Sequence, residues 1–261
     1  MKKSRGIIFI ARKGFNPLKA GLLILVAAFL FSACGIEDFP FIEPVPQDNI
    51  NPVMNSRATV RIPNSYDGSP FSHFEIFYRI YVSDVLQAST TSVTVFSAIN
   101  SVLLSDYNVF NQYIGSTTQV NVNMDTVFRN RNYHRLQLQD SVIDSILSSS
   151  VWGTDLVFDF SSGRAPTMTA GGVIYTLWRS DGRGSFSPQP DRLFRNRPEL
   201  SHSDNISSTI NADVVNKADI ASGIPRYTYA AMFITAVGID VATYSYIYST
   251  PALIHVFQLP D

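Results

Sequence analysis

The stretch Phe71-Ser72-His73-Phe74-Glu75-Ile76-Phe77-Tyr78-Arg79-Ile80-Tyr81-Val82 decides the fold class. Successive side chains of an extended chain point to opposite faces. Phe74, Ile76, Tyr78, Ile80 and Val82 therefore share one face, and His73, Glu75, Phe77, Arg79 and Tyr81 the other. Aromatic rings on both faces imply a strand that is covered on both sides.

The same period of two recurs outward from it. Ala58, Val60 and Ile62 alternate with Thr59 and Arg61, and Pro63–Pro70 reads as the loop between the two strands. Further strands are expected at Thr118–Met124, His134–Leu138, Leu156–Phe160, Val173–Trp178, Tyr227–Ile239 and Ala252–Leu259. Tyr244, Tyr246, Tyr248 and Pro251 read as a connection between the last two. One stretch changes period: Phe96, Ile99, Leu103, Tyr107, Phe110 and Ile114 mark one face of an α-helix that packs on the sheet. Ser141–Leu147 suits a short helix, and Ser185–Ile224, with Pro188, Pro190 and Pro198, an extended loop region. The chain is expected to be mainly β.

Two parts of the body resemble a fibronectin type III domain. Phe74-x-Ile76-x-Tyr78 is similar to its third strand, and Tyr227-x-Tyr229 running to Ala236-Val237-Gly238 to its penultimate one. Ser249-Thr250-Pro251 followed by Leu253 to Phe257 is similar to its last strand. The resemblance implies an immunoglobulin/fibronectin III-like β-sandwich. The matched parts lie too far apart for a plain domain of about 100 residues. It therefore implies a large α+β insertion at about 86–223. The tryptophan that the family carries on the strand before Phe74 is absent from Ala58–Pro63. The alternative is a single β-rich α+β domain of another topology.

The N-terminus is an address. Six basic residues and no acid precede Cys34, and Ala20–Ala33 (AGLLILVAAFLFSA) carries no charge. A basic start, an apolar centre and small residues before a cleavage point make a secretory signal. Phe31-Ser32-Ala33-Cys34 resembles the lipobox of bacterial lipoproteins, with Phe31 in place of the usual Leu. Cys34 is the one cysteine of the chain, and its thiolate is the nucleophile that would take a diacylglycerol group. The resemblance implies cleavage after Ala33, so that residues 1–33 are the signal peptide, and a lipid on Cys34. It places the mature protein on a membrane, on the extracytoplasmic side of a bacterial cell envelope, with the outer membrane favoured and the leaflet open. Residues 34–57, rich in proline, read as a spacer, and 58–261 as the β-rich extracytoplasmic domain. Phe39, Phe41, Ile42 and Val45 make the spacer apolar enough to dock on that domain.

Charge and composition exclude other classes. Hydrophobic residues are 45% of the chain, too many for a disordered one. Without the signal, 14 basic side chains face 21 acidic ones, and this acidic balance argues against nucleic acid. A single cysteine cannot form an internal disulfide.

Chemistry-bearing patterns are few. His73, His134, His202 and His255 fall in no metal-ligand spacing, and no metal or other cofactor is implied. Ser201-His202-Ser203-Asp204 groups nucleophile, base and acid types, but neighbours in sequence seldom face one another. Phe128-Arg129-Asn130-Arg131 recurs as Phe194-Arg195-Asn196-Arg197, with Arg135 and Arg192 close by. Arg129, Arg131, Arg135, Arg192, Arg195 and Arg197 are the candidates for holding an anionic group by paired hydrogen bonds. The competing reading makes them surface residues that balance the acids and leave the core alone. The functional expectation is a non-enzymatic lipoprotein that binds or assembles with a protein or polysaccharide partner. The alternative is an extracytoplasmic hydrolase whose site forms only in three dimensions.

Overall fold

The alternating stretch forms one unbroken strand, Phe71–Ser83, at the centre of the molecule. The computed structural model describes residues 42–66, 71–83, 101–111, 124–138, 143–179, 193–195, 214–215, 227–240 and 244–260. In chain order the strands are β1 (Ile50–Val53), β2 (Arg57–Arg61), β3 (Phe71–Ser83), β4 (His134–Arg135), β5 (Gln137–Leu138) and β6 (Asp155–Asp159). They continue with β7 (Thr167–Ala170), β8 (Val173–Trp178), β9 (Val214–Val215), β10 (Tyr227–Asp240), β11 (Ser245–Tyr248) and β12 (Ala252–Gln258). The helices are α1 (Ser101–Asn111), α2 (Met124–Asn130) and the single turn α3 (Ile143–Ile146).

The strands make two sheets. The first has the order β1-β2-β6-β7-β8-β5. The second is built on β10, which pairs with β3 from Tyr227↔Ser83 to Gly238↔Phe71. On its other edge β10 pairs with β12 and then β11, and β3 carries β4 and the short parallel β9. The two sheets share one core: Ala58, Val60, Leu156, Phe158 and Met168 meet Phe74, Ile76, Tyr78, Ile234 and Ile254.

The opposite face of β3 is covered as well. Phe77, Tyr81, Tyr229 and Phe233 form a second core with Leu103 and Phe110 of α1 and Phe128 of α2. Phe128 stacks on Phe77 at 4.2 Å, and Phe110 meets Phe233 edge-on at 4.7 Å. The expected helix thus lies on the sheet, with Leu103 and Phe110 buried. Its expected ends, Phe96–Asn100 and Gln112–Ile114, lie outside the described residues.

Three expectations are corrected. Met124 opens a helix instead of closing a strand, and the rest of Thr118–Met124 lies outside the described residues. Tyr246 and Tyr248 belong to a strand, β11, that pairs with Val237–Asp240. Thr167–Ala170 is a strand that the sequence reading passed over. The apolar spacer docks on the body, as expected: Ile42 and Val45 are buried in the first core, and β1 pairs with β2.

Register fixes which ends lie together. β2 ends at Arg61 opposite Asp155, and the β7–β8 turn, Gly171-Gly172, lies at that same level. Both glycines have positive φ, which L side chains rarely adopt. The Ile62 N–H bonds Thr154 O and the Gly153 N–H bonds Pro63 O, so the chain between β2 and β3 leaves from here. Trp152 and Tyr66 pack on Phe71, the first residue of β3. Phe71 lies opposite Gly238, so the β10–β11 turn closes at this end too. Val53 and Trp178 lie at the other end, at or beyond the level of Arg57 and Asp159.

Candidate functional site

The polar side chains of β3 fall into two clusters. The first lies beneath α1. Asp106 is 1% exposed and accepts from Arg79 Nη1 at 3.0 Å, from Arg131 Nη1 at 2.8 Å and from the Tyr81 hydroxyl at 2.5 Å. Tyr81 gives its proton to Asp106, so the Tyr133 hydroxyl, 2.8 Å away, donates to Tyr81. Arg79 also bonds the carbonyl of Arg131, and its guanidinium lies 5.7 and 5.9 Å from the ring centres of Tyr81 and Tyr133. Burial comes first, and the Asp106 charge adds to it, in holding both phenols well above the ordinary tyrosine range. Both oxygens of Asp106 are engaged by cations or phenol. The cluster is therefore a closed clamp that ties α1 and the end of α2 to β3, not an open acid or base.

The second cluster is at the start of β3. Between Phe71↔Gly238 and His73↔Val237 the register shifts, which leaves Ser72 as the extra residue of a β-bulge. A bulge re-aims side chains, and here Ser72 Oγ stands 3.0 Å from His73 Nδ1. His73 Nε2 lies 3.4 Å from Glu75 Oε1, which Arg135 Nη2 holds at 3.2 Å. Hydroxyl, imidazole and carboxylate form one line, with Tyr246 edge-on to the His73 ring at 6.3 Å. The line can pass a proton between Ser72 and His73 while Arg135 keeps Glu75 in place. Sequence reading missed it because a regular strand would send Ser72 to the opposite face.

The other expected site residues are scattered. Arg129 and Arg195 are exposed. Arg135 is bound to Glu75, and Arg131 to Asp106. The expectation that both Arg-Asn-Arg segments stay clear of the core is therefore corrected at Arg131, because a buried acid on α1 needs its charge. The Phe-Arg repeat has a packing origin. Phe128 enters the core under α1, while Phe194 enters the core between the sheets, against Tyr78 at 4.8 Å. Cys34, Arg192, Arg197 and Ser201–Asp204 lie outside the described residues. Among the described residues, no group of three or more His, Cys, Asp or Glu is placed to hold a metal ion. No described helix is long and apolar enough to cross a membrane.

Compared with protein families, with curated proteins and with solved structures, the chain matches none.

Proposed function

We propose that this chain is a lipid-anchored, non-enzymatic protein of a bacterial cell envelope that binds or assembles with an extracytoplasmic protein or polysaccharide. The observation that carries the reading is Cys34, placed after a basic segment, an uncharged apolar run and Ser32-Ala33. An acylated cysteine buries about 0.8 kcal/mol per CH₂, and two or more chains hold a protein on a bilayer.

The fold side of the reading is an elaborated fibronectin III-like sandwich. It is supported by the neighbours of β10: β3 on one side and β12 on the other, the order of the third, penultimate and last strands in such domains. The run β1-β2-β6 is in keeping with the opposite sheet of that family. Because β6 joins β2, this reading divides the single insertion expected at about 86–223 in two, one part between β3 and β4 and the other between β6 and β10.

Amine counting tests the anchor. Before processing, the primary amines are the N-terminus, Lys2, Lys3, Lys13, Lys19 and Lys217. Cleavage after Ala33 and full acylation of Cys34 leave Lys217 alone to react with a lysine-directed reagent. Labelling of Lys2 or Lys19 on membrane-bound protein means an intact signal anchor and overturns the reading. So does a Cys34→Ser chain that still yields a mature band on the membrane.

The line Ser72–His73–Glu75 favours a second reading, a hydrolase with Ser72 as nucleophile. A fluorophosphonate probe that labels the protein, but not its Ser72→Ala variant, would establish it. Absence of labelling on the folded protein leaves the binding reading.

A further inference from the structure

Among the described residues, the large apolar side chains that are exposed gather at the end of the molecule where β3 begins. Five of the six large apolar side chains that are exposed among the described residues lie there: Val173, Ile174, Ile239, Tyr244 and Tyr246. The sixth, Val53, is at the opposite end. Ile174 is 69% exposed, Tyr246 62% and Tyr244 86%.

These side chains occupy two separate corners. Val173 and Ile174 follow the β7–β8 turn, on the side of the first sheet remote from β1. Ile239, Tyr244 and Tyr246 flank the β10–β11 turn, on the outer edge of the second sheet. Two apolar tips at separate corners of one end do not enclose a small ligand or cradle a helix. They suit a flat, deformable surface. Tyrosine adds to this, since its ring prefers an apolar medium and its hydroxyl a wet one, as at the boundary of a bilayer.

The chain enters the folded body at the same end. Ile42 and Val45 are buried in the core between the sheets, and Glu43 acts on the phenol of Tyr66, which stacks on Phe71. The Asn49 side chain bonds the carbonyl of Arg61 at 2.9 Å. Seven residues lie between Cys34 and Ile42, which are eight Cα–Cα steps apart. Fully extended, these steps span about 28 Å at most.

We propose that this end is a seat on the lipid surface of the leaflet that holds the anchor, with Ile174 at one corner and Tyr246 at the other entering the headgroup boundary. The proposal rests on the lipid-anchor reading. A short tether keeps the tips at high effective concentration near the bilayer, so contacts too weak to recruit a free protein suffice to orient an anchored one. The opposite end then faces away from the membrane.

A thiol-reactive, polarity-sensitive fluorophore tests it, because acylation blocks Cys34 and leaves any added cysteine as the single free thiol. Three versions of the full-length lipidated protein are prepared: Ile174→Cys, Tyr246→Cys and, as the control, Val53→Cys. Each is labelled and placed in vesicles of phosphatidylethanolamine and phosphatidylglycerol. Labels at 174 and 246 should brighten at least twofold over detergent-free buffer and be quenched by lipids brominated high on the acyl chain. The label at 53 should do neither. Equal responses at all three positions, or none, overturn the seat. A seat on a second copy is also excluded or found here: a dimer by sedimentation, with labels at 174 and 246 already bright without lipid, overturns the proposal.

The anchor is read separately, from the intact mass of Cys34. A mass without lipid overturns the anchor reading and, with it, the seat that rests on it. A lipidated Cys34 together with labels at 174 and 246 no brighter than the label at 53 overturns the seat alone.

Discussion

Arg131 donates from Nη1 to Oδ1 of Asp106 across 2.8 Å and so joins the end of one covering helix to the buried acid of the other. The chain makes this contact just after α2, where the Asn132 N–H bonds Arg129 O and Asn132 itself takes a positive φ. Asn is among the few residues that accept that conformation. The two helices thus reach β3 as one clamped unit.

Removing the acid should be costly. Asp106→Ala leaves Arg79 buried without its counter-charge, and breaking a buried pair from one side costs about 3–5 kcal/mol. Arg131→Gln removes one charged hydrogen bond and should cost about 1.5–2 kcal/mol. Arg129→Gln and Arg195→Gln, at exposed positions, should stay within about 0.5 kcal/mol of the parent. Urea denaturation of the four variants checks the ranking. Equal small effects would show that the clamp does not hold the helices.

The phenols predict a loss of stability in alkali. Tyr66, Tyr81 and Tyr133 are all raised above the ordinary range, chiefly by burial. The folded protein keeps these protons above pH 10, where the unfolded chain gives them up, near the unperturbed tyrosine pKa of about 10. Stability is therefore fully present below that pH and falls as pH rises beyond it. Melting temperature should drop from pH 9 to pH 11, less steeply in Tyr133→Phe. Absorbance near 295 nm should show a late group of phenols that ionise only with unfolding.

Asp159 predicts the opposite slope in acid. Burial pushes its carboxyl up, but hydrogen bonds from the Ser161 side chain and backbone and the charges of Arg164 and Arg57 outweigh this and hold it below the usual range. The contribution is present above the unfolded carboxyl pKa and lost as pH falls through the folded one. Between pH 5 and pH 3 the parent should lose more stability than Asp159→Asn. Parallel curves would mean that Ser161 and Arg164 give the charged form no advantage.

Ser249 predicts a local polar defect. Its hydroxyl accepts the Ala236 N–H at 2.9 Å and lies 3.1 Å from the Thr235 hydroxyl, all of it buried, where the chain passes from β11 to β12. Ser249→Ala leaves the Ala236 N–H without this partner and should cost about 1–3 kcal/mol. Calorimetry of the variant checks this, and Ser249→Gly should be no better.

Local pattern carried most of the framework into the sequence. β3 and β10 were legible because both strands are buried on both faces and so carry long runs rich in apolar and aromatic residues. Leu103 and Phe110 marked α1 for the same reason. β1 holds Pro52 and β7 follows a glycine-bearing turn, so neither reads as a strand from its own residues. β11 was obscured by Ser245 and its exposed tyrosines, which satisfy no core pattern. The two polar clusters were hidden for a different reason. Asp106 meets Arg79 across 27 positions and Arg131 across 25, and spacing on one element says nothing of such pairs. The Ser72–His73 contact depends on a bulge created by the partner strand, which no single-strand pattern can announce.

Leu136 has a mechanical consequence. Arg135 before it pairs with Phe77 in one sheet, Gln137 after it pairs with Trp178 in the other, and its own N–H bonds Ile76 O at 2.7 Å. One continuous backbone segment is thus stitched into both layers within three residues. Neither layer can slide or peel away without tearing the same few hydrogen bonds, so tension applied to one is carried into the other by covalent chain. The two sheets should lose their slow amide protons together, as a single cooperative unit, rather than one after the other.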